Sequence, residues 1–217
     1  MNIRSWLQNM RKAILVFLMF LSFSSLPISG YASLVQMDFL TPGDGLITRD
    51  TQSALEWLDI TQTFGFTFDE ILQGIGNSWY AEGWRFATTG EVSSMIYDYA
   101  GVLVGCDGCP SYSPIPESTA NSLIGLFGAN PSGWINAYFD DGPASEHVGQ
   151  FAVSFNQTFS QYIVAVEAPN GIARTVSSPE LGSALVRPVP IPSSIWLMLS
   201  GALWIFRRGQ RNIVVSG

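Results

Sequence analysis

Apolar positions along the chain fall into two periods. Phe68, Ile71, Leu72 and Ile75 recur at i, i+3, i+4 and i+7, and Val92, Met95, Ile96 and Tyr99 repeat that spacing. Each set is one face of an amphipathic helix. Both faces follow the same start signal. Thr67-Phe68-Asp69-Glu70 and Thr88-Thr89-Gly90-Glu91 are capping boxes, in which the threonine hydroxyl accepts the glutamate N–H and the carboxylate reaches back. Phe66 and Ile71 staple the first, and Gly74 and Gly76 end it. A third helix is predicted over 118–127, with Leu123, Ile124 and Phe127 inward and Gly125 and Gly128 weakening it.

The second period is two. Turns at Gly43-Asp44-Gly45 and Arg49-Asp50 frame short β-prone runs at 46–48 and 55–60, which read as a hairpin carrying Trp57. A short extended piece over 83–87 leads into the second capping box. Residues 134–139, 148–155 and 162–167 alternate as half-buried antiparallel strands, the first joined onward by Asp140-Asp141-Gly142-Pro143. Residues 101–116 form a Gly-, Pro- and Ser-rich loop. Residues 168–187 are expected to return irregularly, with Leu185-Val186 as an edge strand. The layout is α+β, two to three helices packed on a small antiparallel sheet.

The two ends have a different character. Arg4, Arg11 and Lys12 precede an apolar run from Ala13 to Phe23, and Gly30 and Ala32 occupy the −3 and −1 positions of a cleavage site. Residues 1–32 therefore read as a secretory signal peptide. At the other end Pro188, Pro190 and Pro192 alternate with Val189 and Ile191, an extended pattern that resists joining a helix or a central strand. An apolar helix can begin only near Ser193 and runs to Phe206. At about 1.5 Å per residue it falls short of the roughly 30 Å bilayer core, so a transient stop-transfer segment suits it better than a stable span. Arg207, Arg208 and Arg211 follow and favour the cytoplasmic side. This divides the chain into a signal peptide (1–32), an exported domain (33–187) and a C-terminal hydrophobic sorting helix with its flanks (188–217).

In the tail, the order Val189-Pro190-Ile191-Pro192, Trp196-Leu197, Gly201 and the cluster Arg207-Arg208 resembles the PEP-CTERM family of sorting signals in its VPxP variant. Pro-Ile-Pro stands where the name-giving pattern has Pro-Glu-Pro, and residues 213–217 trail the arginines. The resemblance implies processing by an exosortase-type membrane enzyme in a Gram-negative bacterium that makes exopolysaccharide. It implies membrane residence before processing and a cell-surface or extracellular product afterwards. The other reading of the tail is an ordinary membrane anchor.

Three stretches of the exported domain, GDGLITRDTQSALEW, GWRFATTGEV and YIVAVEA, resemble the C-type-lectin-like domain of certain bacterial surface adhesins. That pattern runs D-G-T-V-T-D-x-x-T-G-L-x-W and later G-W-R-L-P-T-x-x-E-L. GWRFATTGEV also resembles a family of exported PEP-CTERM proteins that carry this domain. Ala87 stands in place of the pattern's proline, and Ser53-Ala54 in place of Thr-Gly.

Charge narrows the partners. All 17 acidic residues lie between Asp38 and Glu180, and the exported domain over 33–187 has only four strong bases, Arg49, Arg85, Arg174 and Arg187. Such a domain is repelled by phosphate backbones, and nucleic acid is excluded as a partner. In an oxidising compartment Cys106 and Cys109 read as a local disulfide, with labile thiols or a metal as lesser readings. Arg85, between Trp84 and Phe86, is either a ligand-binding arginine or the partner of Glu91 or Asp59. Trp57, Trp84 and Trp134 are core aromatics first and sugar-stacking platforms second. Asp140, Asp141 and Glu146 offer oxygens suited to calcium, though a solvated acidic turn is the plainer reading and no other cofactor is implied. Asn156-Gln157-Thr158 matches a glycosylation sequon. His147 has no nucleophile in motif context.

The expectation is an exported, non-catalytic protein with a structural or adhesive role in an exopolysaccharide matrix. The alternatives are an exopolysaccharide lectin, acting through calcium or aromatic stacking, and a matrix hydrolase using two carboxylates.

Overall fold

The computed structural model describes residues 34–75, 82–106, 109–142 and 147–189, all in the second of the two units, 1–31 and 32–217, into which the chain divides. Both signal-cleavage residues, Gly30 and Ala32, lie outside the described residues. So does the sorting segment from Pro190 onward, including Pro192, Trp196, Gly201, Arg207 and Arg208.

The described residues form a mixed α+β fold with two five-stranded sheets. In the first, β1 (Leu34–Met37), β2 (Ile47–Asp50) and β3 (Leu55–Leu58) form a meander. Next to β3 comes β10 (Leu185–Pro188), and beyond it β4 (Arg85–Phe86). The second sheet runs in the order β5 (Tyr112–Pro114), β8 (Gln161–Ala173), β7 (His147–Asn156), β6 (Ile135–Phe139) and β9 (Gly182–Ser183). Every pairing is antiparallel except that of β6 with β9. The helices are α1 (Phe68–Leu72), α2 (Thr89–Ala100) and α3 (Glu117–Phe127), with a 3-10 turn over Ile60–Thr63.

Both capping boxes form. Glu70 donates its N–H to the Thr67 hydroxyl at 3.0 Å while its carboxylate accepts from Thr67 N–H at 2.8 Å, and Thr88 and Glu91 reproduce the exchange. Gly101, at φ 70°, ends α2 in the left-handed region where glycine is favoured.

One core joins α2 (Val92, Met95, Ile96) and α3 (Ala120, Leu123, Phe127) to Trp57 and Val186 of the first sheet and to Ile135, Phe151, Val153 and Val164 of the second. A second core gathers Ile47, Leu58, Phe68, Ile71, Trp84, Phe86, Tyr138 and Leu185. Strands β6 and β10 thus bury both faces: Ala137 and Phe139 meet one core and Tyr138 the other, as do Val186 and Leu185.

The edge-strand expectation for Leu185-Val186 is overturned for that reason. The strand lies between β3 and β4, and its burial on both faces removes the alternation that marks a half-exposed edge. Pro188, expected to avoid a central strand, closes β10 opposite Leu55. Val189 N–H donates to Ala54 on the β3 side, so alternation turns the Pro188 nitrogen toward the side that β4, paired only with Leu185 and Val186, no longer reaches. The single small sheet is corrected to two, and the loop over 101–116 contains β5. Strand β8 runs on to Ala173, past the expected end at Glu167, and β1 was not anticipated at all. In α1 the expected inward face is only half right. Phe68 and Ile71 are buried, but the helix ends at Leu72, leaving Leu72 and Ile75 exposed.

Candidate functional site

Arg85 projects from β4 onto the first turn of α2 and makes a two-pronged pair with Glu91, at 2.8 and 2.5 Å. The same carboxylate caps the helix, so one glutamate fixes both the strand–helix corner and the arginine. The hydrogen bond to Glu91 raises the Arg85 pKa, and the hydrogen bond from Arg85 lowers that of Glu91. Of the two partners considered, Glu91 is the one engaged. Asp59 instead caps the 3-10 turn, accepting from the Thr61 N–H and hydroxyl at 2.8 and 2.6 Å, and burial pushes its pKa up.

Asp140 is tied to the same corner. Its N–H donates to Ala87 at 2.8 Å, and its carboxylate accepts from Gly142 N–H at 3.0 Å. The neighbouring Asp141 has a buried carboxylate oxygen, Oδ2, without a hydrogen-bond partner among the described residues. Its pKa is raised by loss of water and by the Asp140 charge, against the opposing influence of Arg174 and His147. The surroundings are therefore of mixed charge rather than an all-acid bowl. Glu146, the third expected oxygen ligand, lies outside the described residues, and among those residues no cluster of three metal-ligating side chains forms.

Cys106 and Cys109 form the disulfide, with Cα atoms 5.0 Å apart. Beside it lies an open groove of about 590 Å3 along α2, lined by Gln52, Ser93, Tyr97, Asp98 and Leu103 among others. Its described lining carries a single carboxylate, Asp98, where paired-carboxylate hydrolysis requires two facing ones. The Ser93 hydroxyl is buried at this groove without a hydrogen-bond partner among the described residues.

The aromatic candidates separate. Trp57 and Trp84 are buried and belong to the two cores, whereas Trp134 is partly exposed beside Tyr162, ring centroids 6.2 Å apart. Tyr162 in turn meets Phe155 at 5.2 Å.

Sequence reasoning missed a second ionic centre. Glu56, only 4% exposed, accepts from Arg49 at 2.5 Å and from Arg187 at 2.9 Å. The Arg187 guanidinium lies 4.4 Å over the Trp84 ring and 5.4 Å from Phe39. The signal present in the sequence was a glutamate between apolar Leu55 and Trp57, where a strand face demands a partner. The pairing with Arg187 spans most of the chain and has no local pattern.

Among the described residues no helix is long and apolar enough to cross a membrane. Comparison of the chain with protein-family models, with curated proteins and with solved structures returns no match.

Proposed function

We propose that this chain is an exported, surface- or matrix-associated, non-catalytic protein, sorted by an exosortase-type enzyme and serving a structural or adhesive role in an exopolysaccharide matrix. The observation that carries the reading is the abrupt join at the end of the fold. Strand β10 ends at Pro188, Val189 is still hydrogen-bonded to Ala54, and the proline-alternating segment with its apolar run and arginines starts at once. A folded load followed directly by a hydrophobic, arginine-closed tag is the layout a C-terminal sorting signal requires.

The folded part is proposed to be C-type-lectin-like. GDGLITRDTQSALEW supplies the β2–β3 hairpin, GWRFATTGEV the β4–α2 corner, and YIVAVEA the start of β8. Ala54 has φ 54°, a left-handed conformation that suits the glycine the adhesin pattern places there. A non-catalytic role fits the engagement of Arg85 by Glu91 and the burial of Trp57 and Trp84 within the cores.

The test is expression of the full chain, tagged within the exported domain, in a Gram-negative host with and without its exosortase-type enzyme. Mass spectrometry of the surface and medium fractions should find a new N-terminus after Ala32 and loss of the arginine-bearing tail only when the enzyme is present. A chain that stays in the cytoplasm, or keeps its tail in both hosts, refutes the proposal. A second reading, direct binding of polysaccharide, is favoured by the exposed aromatic group around Trp134.

A further inference from the structure

Strands β7 and β8 form a hairpin whose far end outruns the core. Along its inward face Val153 and Val164 are buried, yet the next pair outward, Phe155 opposite Tyr162, is not: Phe155 is 38% exposed and Tyr162 partly so. Trp134, just before β6, packs edge-on against Tyr162 and is itself partly exposed. In the turn over 157–160 Phe159 is 57% exposed. That turn is held by Asn156, whose side-chain oxygen accepts from the N–H groups of Thr158 and Phe159 at 3.0 and 3.2 Å. Exposed aromatics grouped in this way mark an interaction surface rather than scattered surface residues.

Charge identifies the partner. Residues 118–139 and 148–166 contain no charged side chain, and no lysine or arginine occurs between Arg85 and Arg174. The ledge therefore interleaves aromatic rings with Asn, Gln, Ser and Thr in a domain that is otherwise strongly acidic. An anionic polymer or an anionic lipid surface is repelled by such a domain and finds no cation on the ledge. Uncharged sugar rings fit it on both counts: their C–H faces stack on aromatic faces, and their hydroxyls pair with amides.

We infer that the ledge formed by Trp134, Phe155, Phe159 and Tyr162 is a calcium-independent binding site for an uncharged polysaccharide. The inference rests on the matrix-associated reading, which brings the chain to such a polymer, and it names the surface that makes the contact.

The experiment is affinity electrophoresis of the full-length protein in non-ionic detergent, with chelator throughout, in gels containing hydroxyethylcellulose (an uncharged β-glucan) or alginate (a polyuronate). Hydroxyethylcellulose should retard the protein and alginate should not. Phe159→Ala and Trp134→Ala should each weaken the retardation about tenfold, and Phe159→Trp should retain it. Phe159 is mostly exposed, so an unchanged melting temperature in Phe159→Ala separates lost binding from lost folding. Absence of retardation by hydroxyethylcellulose overturns the inference, as does retardation that both alanine variants keep. Sedimentation showing that the ledge instead joins two copies of the chain overturns it too. Processing is read separately from the cleaved termini. A chain that is exported and trimmed but does not bind sinks this inference alone, and one that binds but is never trimmed sinks only the sorting proposal.

Discussion

Ala54 sits in the turn between β2 and β3 at φ 54°, a region in which a Cβ costs about 1 kcal/mol or more. The side chain is exposed and has no packing to lose. Ala54→Gly is therefore expected to stabilise the protein by roughly 0.5–1 kcal/mol, read as a higher urea midpoint at unchanged slope. Nearby, Glu56 holds Arg49 and Arg187 together from a buried strand position. Removing its carboxylate in Glu56→Ala leaves two guanidinium groups without their anion. The expected loss is about 2–3 kcal/mol, below that of a wholly buried pair because both arginines reach solvent. A loss under about 0.5 kcal/mol would mean that the stacking of Arg187 on Trp84, rather than the ion pair, holds β10 in register.

Asp44 gives the residue scale a pH dependence. The backbone N–H groups of Thr41 and Phe39, with those of Leu40 and Leu46, hold its carboxylate at about 2, against an ordinary 3.8. A carboxylate whose pKa is lowered by folding contributes stability fully above its unfolded value and loses it as pH falls through the folded value. Glu91, lowered by Arg85, acts in the same direction, and Asp59, raised by burial, acts in the opposite one. The difference in urea midpoint between wild type and Asp44→Ala should be constant above about pH 4 and shrink as the pH approaches about 2. A difference that does not change across that window removes the loop-organising role assigned to Asp44.

At the scale of elements, legibility followed the reach of the signal. The two capping boxes and the 3.6-residue faces of Val92, Met95 and Ile96 are local, and they formed as read. So did the alternation of Phe151 and Val153 in β7. What stayed hidden was what only partners decide. Leu185 and Val186 look like any short apolar pair until β3 and β4 close on either side of them. Arg85 carried its partner in the sequence six positions on, whereas the aromatic ledge required Trp134 and Tyr162 to be brought together by β6, β7 and β8. Gly149 illustrates such a tertiary demand. It lies at the register shift in β7, and a Cβ there would stand 2.0 Å from the ring of the buried Phe139. Gly149→Ala should cost about 1–3 kcal/mol through overpacking, and Phe139→Leu in the same chain should recover part of it. Strict additivity of the two changes would show that the close approach is relieved elsewhere.

The whole molecule is closed by its last described strand. Strand β10 joins β3 to β4, places Leu185 in one core and Val186 in the other, and brings Arg187 to Glu56. Just before it, Ser183 N–H donates to the Thr63 hydroxyl at 2.7 Å, and Ala184 accepts from the Ala87 N–H and donates its own N–H to the Tyr138 carbonyl. The segment over 182–188 therefore binds the hairpin, the strand–helix corner and the second sheet, and it is the last part of the domain to be made. A chain ended after Leu181 should lack a cooperative thermal transition and be degraded rapidly by protease, although it retains both amphipathic helices. A chain ended after Val189 should melt as the full-length protein does. The comparison bears on sorting as well as stability, because Val189 both completes the Ala54 hydrogen bond and begins the proline-alternating segment. If an exosortase-type enzyme cuts at or beyond Pro190, the released domain keeps every contact of β10 and should be as protease-resistant as before. A cut even two residues earlier removes Pro188 and Val189 and opens the end of the β3–β10 pairing, lowering the melting temperature of the released product below that of the uncut protein. The termini and melting curve of the mature form together place the cut relative to the fold.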